Sequence, residues 1–157
     1  MNKNHNYEIL VEWTGNTGEG TKKYNSYTRD LSIEGKGKYM KIEGSSDPAF
    51  LGDKEKYNPE DLFLASLSSC HMLWYLHLCS VNKIVVLEYK DNAKGTMLED
   101  KNGSGRFSNV TLYPEVTIEN IEMKELAEKL HQKANEMCFI ANSCNFKIDH
   151  SPTIKPL

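Results

Sequence analysis

The sequence is 157 residues long, the size of one ordinary domain, and its 39% hydrophobic and 26% charged content is that of a chain that folds, neither disordered nor fibrous. Its 19 basic and 22 acidic side chains leave a formal charge of -3 at pH 7, which offers no excess positive field to a phosphate backbone and argues against nucleic acid as a partner. The start, MNKNHNYEILVEW, lacks the apolar stretch and cleavage site of a signal peptide, so a cytoplasmic location is expected. The four cysteines are then expected to be reduced thiols, with no disulfide framework.

Taken in chain order, residues 1–43 alternate polar and apolar side chains through Tyr7, Ile9, Val11 and Trp13 and then pass the turn-rich GNTGEGT, a pattern that predicts an antiparallel β meander. Residues 44–57, GSSDPAFLGDKEKY, cluster Gly, Ser, Asp and Pro without periodicity and read as a loop. A central helix is predicted over 58–80. Asn58 can cap it, Pro59 suits its first position, and Glu60 with Asp61 place negative charge at the positive end of its dipole. Its sides are apolar almost all round, so it must be covered on most of them. The run is broken by Ser66, Ser68, Ser69, His71 and His77, which favours a buried helix over one that crosses a membrane.

Residues 83–119 read as a β hairpin about the turn EDKNGSG, with Val110, Leu112, Val116 and Ile118 on its alternating face. A second helix and turn occupy 122–143, where Leu126, Ala127, Leu130, Ala134 and Met137 recur at helical spacing. A last short strand is predicted over 145–149. Strands, a long buried helix, strands, a helix and a strand make an α+β chain with antiparallel sheet packed on helices, in a single domain over 1–157.

Two cysteines stand where chemistry could occur: Cys70 in the middle of the central helix and Cys138 at the end of the second. Each alone reads as a buried packing residue. A reactive thiol needs a cation or hydrogen-bond donors to stabilise its thiolate. Arg29 and Arg106 are the only arginines; guanidinium stays charged when desolvated and presents a planar fork of donors, which marks Arg29, in SYTRDLS, as a candidate. Cys70, His71, Cys79 and Cys138 lack the short paired spacings that structural zinc prefers, and neither a metal nor another cofactor is expected. His71 and His77 fall on different helix faces. Cys79 reads as packing, and Cys144 reads as packing or a rival second thiol.

The segment YNPEDLFLASLSSCHML, with Asn58, Pro59, Glu60 and Cys70, resembles the first cysteine motif of the OsmC/Ohr family, osmotically induced protein C and the organic hydroperoxide resistance proteins. ANEMCFIANSCNFKI, with Cys138, resembles the second. The resemblance implies an interlocked homodimer acting as a thiol-dependent peroxidase on organic hydroperoxides in oxidative stress defence. Cys70 would be the attacking thiol and Cys138 the resolving thiol that forms a disulfide with it, reopened by an external dithiol reductant. Arg29, salt-bridged to Glu60, would stabilise the thiolate. His71 after Cys70, and Phe139-Ile140 after Cys138, place the chain nearer an OsmC-like subgroup whose substrate is less settled. The alternative is a non-catalytic dimeric protein that binds a small apolar ligand in the interface cleft.

Independently of the resemblance, a thiolate that becomes a sulfenic acid is readily captured by a second thiol. Glu60 and Cys70 stand about 15 Å apart along one straight helix at 1.5 Å per residue. A glutamate near the thiol therefore comes from a bent segment or from a second, antiparallel chain.

Overall fold

The amino-terminal strands are short, and their ladders join them to one another. A computed structural model describes residues 3–157, which form two compact units, one up to Leu62 and one over Phe63–Leu157. In the first unit, β1 (Ile9–Trp13), β2 (Leu31–Gly35) and β3 (Ile42–Gly44) make an antiparallel sheet in sequence order. This is the expected meander. The loop after it is held in place: Ser45 N donates to the Tyr57 carbonyl (3.0 Å), Asp47 caps a 3-10 turn over Pro48–Phe50, and Lys56 pairs with Asp30 at 2.8 Å.

The helix α1 runs over Pro59–Val81. Its start is a reciprocal cap: Asp61 N donates to Asn58 Oδ1 (2.8 Å) and Asn58 N donates to Asp61 Oδ2 (3.2 Å), so orphan amides of the first turn are satisfied. It ends where Lys83 turns left-handed (φ 61°) and Ile84 N donates to the Cys79 carbonyl at 2.9 Å. Among the described residues, α1 is the one helix long and apolar enough to cross a membrane by length and composition. Leu67, His71, Tyr75 and Cys79, four residues apart, form its buried stripe, while Leu73, His77 and Val81 are exposed.

The predicted hairpin over 83–119 exists, but its ladder is broken at mid-length into two arms. The near arm pairs β4 (Val86–Asp91) with β7 (Pro114–Ile118), and the far arm pairs β5 (Lys94–Glu99) with β6 (Gly105–Leu112). Asp91 stands at the break: its carboxylate accepts from Tyr113 N (2.7 Å) and from the Ser68 hydroxyl of α1 (2.5 Å). An amide that no longer finds a strand partner is thereby satisfied by a side chain. Each arm gains a parallel strand from the end of the chain. β8 (Ile148–His150) joins β6, and β9 (Thr153–Pro156) joins β7. The sequence reading placed the last strand at 145–149 and did not foresee β9.

Two core clusters result. Leu67, Val110, Leu112 and Ile148 form one, and Tyr75, Cys79, Val116, Ile118, Ala127 and Leu130 are central to the other. α1 contributes to both, and His71 falls between its two contributions. In the far arm, Gly95 lets the strand approach the helix, since a Cβ there would come within 2.9 Å of Leu64 and of Phe107. The second helix, α2 (Lys124–Met137), buries Ala127, Leu130, His131 and Ala134. Leu126, expected on that face, is 36% exposed; His131 holds the buried position instead. A four-residue helix, α3 (Phe139–Asn142), follows.

Candidate active site

Cys138 separates α2 from α3. Its sulfur accepts a hydrogen bond from Ala141 N at 3.4 Å, and the residue is 1% exposed. The break between two helices thus holds the thiol rigidly and out of solvent. Burial, and next the neighbouring Cys70 thiol, push the Cys138 thiol up to about 11, because a charged sulfur is costly both in an apolar surrounding and beside a second sulfur. Cys70, from the middle of α1, is only partly buried. The fold therefore brings together one accessible thiol and one buried, protonated thiol from helices far apart in sequence. Both are free thiols in this structure.

Different surroundings flank the pair. On one side, Trp74, one turn after Cys70, meets Phe139 edge to face at 5.7 Å between ring centroids; Phe139 is 64% exposed and Leu73 63%. This is an apolar rim open to solvent. On the other side lies a buried imidazole cluster. His71 Nε2 and His131 Nδ1 are 3.0 Å apart, their rings nearly parallel (7°) with centroids at 5.3 Å. Tyr75 stacks on the His131 face at 3.8 Å, and the His150 ring lies 5.6 Å from that of His71. Desolvation lowers both central histidines, His71 to about 4 and His131 to about 3, with His150 adding a smaller effect on each and His71 a further one on His131. Among the described residues no group of three or more His, Cys, Asp or Glu is arranged to hold a metal ion.

The other two residues expected at the site, Arg29 and Glu60, lie in the first unit. Arg29 is not within a strand but two residues before β2, and its guanidinium is held by two tyrosines. It lies over the Tyr24 and Tyr27 rings at 4.3 and 4.2 Å and donates to their carbonyls at 2.7 and 2.8 Å. Glu60 sits in the first turn of α1. Among the described residues, Arg29 and Glu60 form no ion pair within the chain. Arg106 is exposed in β6, opposite Leu98. Cys79 is core, as read, and Cys144 donates to the Ile140 carbonyl at 3.4 Å.

Sequence reasoning missed His131 and His150. A signal for His131 existed: in Ala127, Leu130, His131 and Ala134 it occupies a core position of the helical repeat, where a polar side chain signifies a buried partner. His150 ends a short strand in a polar stretch, and nothing local distinguishes it.

The family described as OsmC-like protein matches residues 52–152. Among solved structures, the chain is similar to an OsmC-like protein of unknown function from Vibrio cholerae, at 31% identity over 95% of this chain and 99% of that one, with a TM-score of 0.83. An organic hydroperoxide resistance protein from Elizabethkingia anophelis matches with a TM-score of 0.69 at 21% identity, covering both chains completely (100% of each). One from Bacillus subtilis matches at 0.63 and 18% identity, over 96% of this chain and 98% of that one. A comparison with curated proteins gives no match. With a family match over residues 52–152 and 31% identity to the Vibrio cholerae protein over 95% of its length, the chain belongs to the OsmC-like family.

Proposed function

We propose that the protein is a cytoplasmic, homodimeric thiol peroxidase that reduces organic hydroperoxides through Cys70 and Cys138. The observation that carries this reading is the pairing of a partly exposed Cys70 with a buried Cys138 whose thiol holds its proton to about pH 11. The asymmetry fits the roles, because the attacking sulfur needs access and thiolate character while the resolving sulfur needs only proximity. Some of the proteins of this fold are named for organic hydroperoxide resistance, and the apolar rim of Leu73, Trp74 and Phe139 suits a substrate with a hydrocarbon body.

The Cys70 thiolate attacks the terminal peroxide oxygen and the O–O bond breaks. The leaving alkoxide takes a proton and departs as the alcohol, leaving Cys70 as a sulfenic acid. The Cys138 sulfur then attacks Cys70, and the hydroxyl leaves as water with the Cys138 proton. An external dithiol reduces the resulting disulfide with two electrons and two protons. Arg29 and Glu60 are proposed as the groups that stabilise the thiolate.

Stopped-flow reduction of cumene hydroperoxide tests the reading. Cys70→Ser is expected to abolish turnover, and Cys138→Ser to stop after one equivalent with a sulfenic acid trapped by dimedone on Cys70. Equal rates for the wild type and Cys70→Ser would defeat the proposal. Thiols left untouched by excess peroxide favour the second reading, a dimeric binding protein using the open apolar surface around Leu73, Trp74 and His77.

A further inference from the structure

We propose that the hydrogen bond between His71 and His131 is a positioning clamp that sets the reach between the two cysteine sulfurs. His71 directly follows Cys70 on α1, and His131 lies two turns before Cys138 on α2. Both imidazoles are completely buried (0% exposed). Among the described residues, theirs is the one side-chain hydrogen bond that joins the two helices. Nearly parallel rings with centroids 5.3 Å apart and nitrogens 3.0 Å apart meet edge to edge, leaving room on the line between them for a single proton. An ion held on that line would need about 2 Å to each nitrogen, so the geometry is that of a neutral donor and a neutral acceptor.

Desolvation keeps both rings uncharged, and Tyr75, stacked at 3.8 Å, fixes the His131 plane. His71 Nδ1 and His131 Nε2 are buried without a partner. Two leucines would fill this seam without leaving such orphans, which points to a requirement for the directed bond itself. That requirement is close at hand: a disulfide forms only within a narrow range of backbone separation, with Cα atoms about 4.4–6.8 Å apart. A link one residue from one cysteine and two turns from the other holds α1 and α2 in the register that permits it.

The clamp rests on the two-thiol reading but is tested without peroxide. In glutathione buffers the full-length protein exchanges with oxidised glutathione, giving a Cys70–Cys138 disulfide and two reduced glutathiones. The equilibrium constant, an effective molarity, is read by alkylation and mass spectrometry. At position 131 the bonding atom is Nδ1, which Asn mimics and Gln does not; at position 71 it is Nε2, which Gln mimics and Asn does not. Near-UV circular dichroism confirms that each variant is folded.

The expected result is a mirrored ranking. His131→Asn and His71→Gln stay within about threefold of wild type, whereas His131→Gln and His71→Asn fall at least tenfold. Leu130→Ala, which damages the same core without touching the bond, stays near wild type. A merely structural role predicts that the larger Gln is tolerated better at both positions, and that ranking would overturn the clamp. So would an equal loss in Leu130→Ala, or no Cys70–Cys138 disulfide in the wild type. A disulfide that forms normally in glutathione while peroxide goes unreduced defeats the peroxidase reading and leaves the clamp standing.

Discussion

His71 and His131 carry the clearest pH signature of any residues in the chain. Each is held neutral in the fold, with its pKa lowered to about 4 and about 3 by burial, whereas in the unfolded chain an imidazole titrates near 6.5. The unfolded state therefore binds more protons below that value. The contribution is fully present above about pH 6.5 and is lost as the pH falls toward 4, by about 2 kcal/mol for each imidazole at pH 5. The groups around them do not offset this: His150 is itself lowered by burial, with Asp149 raising and Lys147 lowering it, and Tyr75 and Tyr89 stay protonated. Urea denaturation at pH 7.5 and pH 5 should show a marked loss, reduced in His71→Leu; a flat profile would contradict the assignment. Cys70 and Cys138 could be named as candidates from the sequence because each stands in a motif that carries the family resemblance, the first opened by the helix start at Asn58 and Pro59. The histidine pair was not, because hydrophobic periodicity registers letters and takes no account of an imidazole that is neutral only when a distant partner buries it.

At the scale of elements, the bent hairpin decides where both cores lie. Leu112 is 1% exposed at the end of the far arm and packs with Leu67, Val110 and Ile148. Leu112→Ala removes a buried side chain from a cluster with few members, so a loss of about 2–5 kcal/mol is expected, measured as a shift of the urea midpoint with an unchanged slope. A loss below about 1 kcal/mol would mean that the far-arm core is less consequential than its packing indicates. The helices α1 and α2 could be read from caps and spacing, and the hairpin from its turn. The break at Asp91 and Tyr113 could not, since Val110, Leu112, Val116 and Ile118 keep a strict alternation straight through it. β9 escaped because Thr153–Pro156 is four residues long and ends in proline, too short for a periodic pattern to emerge.

For the whole molecule, the exposed apolar side chains are the dominant fact. In the second unit Leu73, Val81 and Phe139 are 60% exposed or more, and in the first unit so are Ile9 and Leu10. Patches of this kind on a single chain mark interaction sites. Together with the apolar perimeter of the central helix, they make a dimer of about twice 17.9 kDa the expected outcome of light scattering at micromolar concentration. A stable monomer would refute the interlocked assembly and with it any site shared between copies. Fold class was open to sequence reasoning because strand and helix order suffices for it. Assembly was expected from the family resemblance and from surplus apolar surface, and the tyrosine-held Arg29 could not be foreseen, since its aromatic partners lie in a turn-rich stretch without periodicity.

The two parallel ladders also say something about the order in which the molecule is made. β8 on β6 and β9 on β7 have the same sequence separation, and both are supplied by residues 148–156, which are made after the strands they join. Until residues 148–156 emerge, the outer edges of β6 and β7 stay open and able to pair with any passing strand. Completion of the second unit therefore waits on one short segment that adds a strand to both sheets together, and until it arrives the bare edges are where the chain is open to aggregation.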